Sequence, residues 1–392
     1  MTVSRRAWAW AAFALLQPAA AFADSANLAD MVDDLQRIQL RIAQGDKAAY
    51  VAQLNQLKTI GAAIAASQPE TWKDRLQADS LVIYILSGGS LADVTPLMKG
   101  DAVVESERAL ARGALAYVTN HEADAIALLD KVDLNALDAR MAGEVAFARS
   151  VLETKRDAKA AVELLDWARL LAPGGLVEEA ALRREIGLLA EAKDVPRAAM
   201  LTRQYATRFA ASLYAPDFFR DLAVAIARLG LADDPDSYQR LSRAVASLPP
   251  DSRRGFLLTL AKSAVVNARF EAAAAAATEA LEGVVADSPE AMRARLYLAA
   301  SRMFSDAYDA AVADLRTIAA SKLDREDANL LAAARRAAAE LRIAPEGGFL
   351  GSPPASLDDG DKDKASGPAL TIARAREALD RTAGLASGQG TP

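Results

Sequence analysis

The chain has 392 residues, 52% hydrophobic and only 6% aromatic, with 46 basic against 52 acidic residues and a formal charge of −6. It holds no cysteine and one histidine, which excludes disulfides, thiolate metal sites and a multi-histidine metal centre. An acidic chain also lacks the basic face that nucleic-acid phosphates require.

The N-terminus reads as an export signal, residues 1–23. Arg5 and Arg6 precede an apolar run from Ala7 to Leu16, and Ala21-Phe22-Ala23 supplies the small-x-small cleavage pattern. The run is about half of the roughly 20 residues needed to span a bilayer, which argues against an uncleaved anchor. The paired arginines also admit a twin-arginine signal, though an ordinary secretory one is preferred. No second long apolar run follows, so the mature chain is expected to be soluble in an exported compartment, with no membrane insertion.

Residues 24–105 are expected to form a helical N-terminal segment. Leu28, Met31, Leu35, Ile38 and Ile42 recur at heptad-like spacing; Gly45 ends that helix and Asp46 caps the next, which runs to about Ala66. The pair either caps a helical stack or offers a coiled-coil seam to a partner, and the first reading is preferred because so few heptads are present. The glycine-rich SGGSLADVTPL from Ser87 follows a helix and lacks the Lys and Ser/Thr of a phosphate loop, so it reads as a helix-ending turn. His121, in TNHEAD, reads as a solvated turn residue.

From about residue 106 to 344 the pattern repeats. AIALLD at Ala125 superimposes on AVELLD at Ala161, and RFEAAAAAATEAL at Arg269 on AYDAAVADLRTIA at Ala307, offsets close to those of helix-turn-helix repeats. The expected fold is all-α: an elongated, tetratricopeptide-like solenoid of about six antiparallel helix pairs, then a closing helix, REDANLLAAARRAAAELRI. Within DWARLLAPGGLVEEAALRRE (166–185), Pro173 and Gly174 end one helix and Leu176–Glu191 forms the next. Glu178 and Glu179 fall in its first turn, favoured by the helix dipole, and Glu179 is expected to pair with Arg183 on an exposed face.

Tyr205, Phe209, Tyr214, Phe218 and Phe219 are dense for so aromatic-poor a chain, with Arg203, Arg208 and Arg220 beside them. Such a group either fills a repeat junction or forms a binding anchor; Arg203, Tyr205, Arg208, Tyr214 and Phe218 are the candidate partner-binding residues. Residues 345–368 are rich in Gly, Pro, Ser and charge and read as a flexible linker. Asp358, Asp361 and Asp363 are wrongly spaced for a calcium loop, and the closing glutamate is missing. Within 369–392, ALTIARAREALDRTA reads as a short amphipathic helix that docks on the solenoid or on a partner, followed by a disordered tail.

LDWARLLAPGGLVEEAALRRE and RQYATRFAASLYAPDFF, with LQRIQLRIAQGD, SLVIYILSGGS and GALAYVTNHEADAIALLDKVD upstream, resemble the chemotaxis protein MotC family over about residues 28–230. The resemblance implies a periplasmic protein that associates with the periplasmic part of the flagellar stator protein MotB and is needed for flagellar rotation. Without it, the residues reach only an exported helical-repeat protein: a noncatalytic scaffold for envelope assembly or, less favoured, a cell-wall-acting enzyme. No segment outside the repeats is large enough for a catalytic domain, and no catalytic motif or cofactor signature is present, so no enzyme activity, cofactor or metal is expected.

Overall fold

A computed structural model describes residues 27–342. The expected export signal, linker and C-terminal amphipathic helix lie outside the described residues. Seventeen α-helices and three short 3₁₀ turns account for the described chain, without a strand. The first six helices are α1 (Leu28–Ala43), α2 (Lys47–Ala66), α3 (Arg75–Leu86), α4 (Leu91–Lys99), α5 (Glu105–Val118) and α6 (Glu122–Leu129). They are followed by α7 (Ala139–Glu153), α8 (Ala158–Leu171), α9 (Leu176–Glu191), α10 (Val195–Arg208), α11 (Ala215–Leu229) and α12 (Pro235–Ala244). The last five are α13 (Pro250–Val266), α14 (Phe270–Ala280), α15 (Pro289–Arg302), α16 (Tyr308–Thr317) and α17 (Arg325–Arg342). In chain order, five helix pairs run from α7 to α16, and α17 is the last described helix.

The helices group into two compact units, one holding the described residues to Gln36 plus Gln53–Leu128, the other Arg37–Ala52 plus Leu129 onward. In the first, Leu28, Leu35, Ile60, Leu81 and Ile85 are buried around Trp72 and Tyr84. The Trp72 indole donates to Ser67 Oγ at 3.0 Å, and the Tyr84 hydroxyl accepts the backbone N–H of Ser90 at 2.9 Å. That second bond ties down the glycine-rich turn, where Gly88 is left-handed at φ +88°; the turn ends α3 and leads into α4, as expected. Of the heptad residues, Leu28, Leu35 and Ile42 are buried, and Met31 and Ile38 half-buried. His121 is an exposed turn residue, its ring 2.9 Å from the Thr119 hydroxyl.

The second unit is built by stacking. Each odd-numbered helix from α7 to α17 packs on the next odd one, and even-numbered helices pack along the row, α8 between α7 and α9, α14 between α13 and α15. This is the packing of a helical solenoid, in which each amphipathic pair buries its apolar face against its neighbours. Alanine dominates where helices meet: Ala272, Ala273, Ala276, Ala277 and Ala280 of α14 are all buried. Small side chains let helix axes approach closely at little entropic cost.

The turns within pairs repeat as well. Asn120, Lys193 and Ala268 are the left-handed non-glycine residues of the described chain, at φ 58°, 59° and 56°. Each is the middle residue of a three-residue turn between paired helices, α5–α6, α9–α10 and α13–α14. The second helix then starts from a side-chain cap in several pairs. Asp157 accepts the N–H groups of Lys159 and Ala160, and Asp194 that of Arg197.

Candidate partner-binding site

The aromatic and arginine residues singled out from the sequence fall on α10, on the loop that follows it and at the start of α11, and the structure separates them into two layers. Tyr205 lies in the core: fully buried, it packs against Phe209, Phe218 and Phe219 with ring centroids 5.7, 4.4 and 5.6 Å away, and Phe219 continues edge-on to Phe256 of α13 at 6.3 Å. Phe218 is half-buried at the margin of this cluster. Arg203, Arg208 and Tyr214 form the outer layer, with Arg208 43% and Tyr214 37% exposed. Of the five candidates, Tyr205 is therefore a packing residue that holds the others in place, because α10 turns its ring inward onto α9 and α11.

Two buried glutamates of α9 fix the outer layer. Glu179 Oε1 accepts the Tyr205 hydroxyl at 2.9 Å and the Ser212 hydroxyl from the α10–α11 loop. Burial pushes the Glu179 carboxyl above its ordinary range, and the two hydroxyl donors act against that shift. Glu178 Oε1 accepts the Gln204 amide at 3.0 Å, while its Oε2 is paired with the Arg208 guanidinium at 2.9 Å and also takes the backbone N–H of Gly174. The expected exposed pair of Glu179 with Arg183 is thus corrected. Both glutamates are wholly buried, because α10 and the loop after it cover that face of α9. Arg183 lies over the Tyr214 ring, 4.6 Å from its centroid, and its charge still draws the Glu179 carboxyl down.

The loop carrying Tyr214 is also braced from below. Gly45, in the α1–α2 turn, is left-handed at φ +90°, and a Cβ there would lie 2.2 Å from the carbonyl oxygen of Ala211. Only a glycine permits that approach.

Beside this surface lies a four-charge cluster that the sequence reading passed over. Glu185 of α9, completely buried, accepts from Arg169 of α8 at 3.1 Å and from Arg197 of α10 at 2.8 Å. Asp166 pairs with both arginines from the other side. Burial, and then the charge of Asp166, push the Glu185 carboxyl up to about 7, while the two arginines pull it back. The signal was present as acids and arginines spaced along three successive helices, but apart from Asp166 with Arg169 the pairs join residues 12, 16 and 31 positions apart. No single-helix periodicity reveals such a network. It locks α8, α9 and α10 together.

The groups assembled here are guanidiniums and an aromatic ring on a rigid apolar support. Among the described residues, no group of three or more His, Asp or Glu side chains is placed to hold a metal ion. No described helix is long and apolar enough to cross a membrane.

Comparison with known proteins places this architecture. The family model described as chemotaxis protein MotC matches residues 1–389. The chain belongs to the MotC family. The chemotaxis protein MotC of Rhizobium meliloti (strain 1021) is 27% identical over 328 residues, covering 83% of this chain and 74% of that protein. The family match extends well past residue 230, where the resemblance read from the sequence stops, and takes in all the repeats through α17. No solved structure matches the chain.

Proposed function

We propose that this MotC-family protein is a noncatalytic periplasmic component of the flagellar motor that binds the periplasmic part of the stator protein MotB and supports flagellar rotation. The observation that carries this reading is the family match over residues 1–389. The export-signal pattern at the N-terminus supports the periplasmic assignment. The stacked helix pairs supply rigid recognition surface.

Within that surface, Arg203, Arg208 and Tyr214 are the proposed contacts, with Phe218 at the rim and Tyr205 as their buried support. Aromatic and arginine side chains on a rigid base lose little freedom on binding and are the residue types that dominate interfaces. The direct test is a pull-down of the mature protein with the periplasmic fragment of MotB, together with swimming assays on a strain lacking the gene. Capture of the fragment and paralysed but assembled flagella are expected. Unimpaired swimming in the deletion strain would reject the motor role, and absence of capture would reject MotB as the partner.

A further inference from the structure

Three large apolar side chains stand exposed on neighbouring second helices: Trp167 (40%) and Leu170 (66%) of α8, and Met200 (54%) of α10. The bonds between the two helices fix where they lie. Asp166 of α8 pairs with Arg197 of α10, 31 positions on. Gly174, just past the end of α8, shares Glu178 with Gln204 of α10, 30 positions on. Both offsets run the same way along the chain, so α8 and α10 lie parallel and in step. Leu170 follows Asp166 by one turn and Met200 follows Arg197 by one turn, which brings Leu170 and Met200 level on opposite banks of the seam between the helices. Trp167, three positions before Leu170, widens the apolar strip on the α8 bank. Beneath the strip the charges are matched, with Asp166 and Glu185 held by Arg169 and Arg197, and Glu178 by Arg208. The banks are not matched. α10 carries Arg197, Arg203 and Arg208 and no acid. The exposed Arg203 guanidinium has no hydrogen-bond or ion-pair partner among the described residues. Glu163, the acid of α8 outside the network, lies at the opposite end of the seam from Arg203 and Arg208.

Taking MotB as the partner, as proposed above, we infer that the α8–α10 seam receives an acidic amphipathic helix of its periplasmic part. The apolar side of that helix lies on Trp167, Leu170 and Met200, and its carboxylates face Arg203 and Arg208. The contact surface thus extends from the Arg203–Tyr214 region across to α8. An apolar strip bordered by arginines has the composition in which binding energy concentrates. The arginines at one end select an acidic segment, because a basic one would meet like charge there. The described residues contain no strand and so offer no sheet edge to an extended peptide. Recognition falls to side chains along a groove between helices, the mode that an amphipathic helix fits.

Trp167 is its own reporter. Trp8 and Trp10 lie in the expected export signal, which leaves Trp72 and Trp167 in the mature chain, and Trp72 is buried. The mature protein labelled with fluorotryptophan is titrated with the unlabelled MotB periplasmic fragment and followed by fluorine NMR, with Trp167→Phe assigning the two signals. The Trp167 signal should shift on binding and the Trp72 signal should stay. Binding by Met200→Glu and Met200→Lys then tests the charge. The exposed position leaves the fold intact, which circular dichroism checks. Met200→Glu should weaken binding about tenfold or more, and Met200→Lys by less than about threefold, the scale of an exposed charge contact. Capture of the fragment with an unmoved Trp167 signal overturns the seam while MotB remains the partner. A shifted signal with equal losses for the two Met200 variants overturns the acidic helix. Absence of capture by the unsubstituted protein rejects MotB and this contact together.

Discussion

Tyr205 and Glu179 meet in the interior of the repeat stack, hydroxyl to carboxylate at 2.9 Å, with neither side chain reaching solvent. The bond ties α10 to the first turn of α9, and through Ser212 it ties both to the loop that presents Tyr214. Tyr205→Phe keeps the ring packing but takes one donor from a buried carboxyl. It should destabilise by about 1 to 3 kcal/mol, whereas Tyr205→Ala, which also empties an aromatic cluster, should cost about 3 to 5 kcal/mol. Urea denaturation of the two variants measures the difference. Equal losses would mean that the ring contributes nothing beyond the hydrogen bond.

Leu165 of α8 is completely buried with Ala146, Ala168 and Ala181, between helices of adjacent pairs. The other buried members of this cluster are alanines, and Phe147, Val177 and Leu188 pack against it from the margin, so truncation leaves a cavity that the small side chains cannot fill. Leu165→Ala is expected to cost about 2 to 5 kcal/mol. A loss within about 0.5 kcal/mol, the ordinary range for surface changes, would contradict this packing.

Ala268 holds a left-handed conformation at φ 56° in the α13–α14 turn, which strains a residue carrying a Cβ. Ala268→Gly relieves the strain, partly offset by the greater freedom of glycine in the unfolded chain. A net gain of about 0.5 to 1 kcal/mol is expected. An unchanged or lowered melting temperature would place the strain elsewhere.

The helical periodicity, the turn at Pro173–Gly174 and the Gly45–Asp46 break were legible in the sequence because each depends on residues close together in the chain. Leu176–Glu191 was bounded correctly for that reason. The burial of Glu178 and Glu179 was not legible. First-turn acids before an arginine four positions on look the same whether the helix face meets water or another helix, and only the placement of α10 decides. The same limit hid the Glu185 cluster. The aromatic group was found by composition, but its division into a buried Tyr205 and an outer Tyr214 depends on where α10 ends and the loop turns.

The Glu185 cluster predicts a pH dependence. A carboxyl raised from an ordinary value of 4.5 to about 7 in the folded state binds its proton more tightly there than in the unfolded chain. Its effect on stability is therefore most favourable below about pH 4.5 and is lost as pH rises toward 7. Glu185→Gln keeps the shape without the titration. Relative to this variant, the unsubstituted protein should lose about 1 to 3 kcal/mol between pH 5 and pH 7.5. A pH-independent difference would mean that Arg169 and Arg197 hold Glu185 ionised throughout.

The outer layer of the candidate surface can be tested without disturbing its base. Arg208 is a poor first choice, because its removal leaves the buried Glu178 short of a counter-charge and confuses binding with stability. Arg203 and Tyr214 are better placed: both are exposed, and the Tyr214 ring lies against the Arg183 guanidinium and bridges to no buried charge. Arg203→Glu with Tyr214→Ala should keep the helical signal and shift stability by no more than about 1 kcal/mol, the scale of an exposed cation–π contact. Binding to the MotB periplasmic fragment should nevertheless fall at least tenfold, equivalent to about 1.4 kcal/mol, and swimming should be impaired with flagella assembled. Full binding by a folded double variant would move the interface off this surface. Undiminished binding but lost swimming would assign these residues to a different contact in the motor.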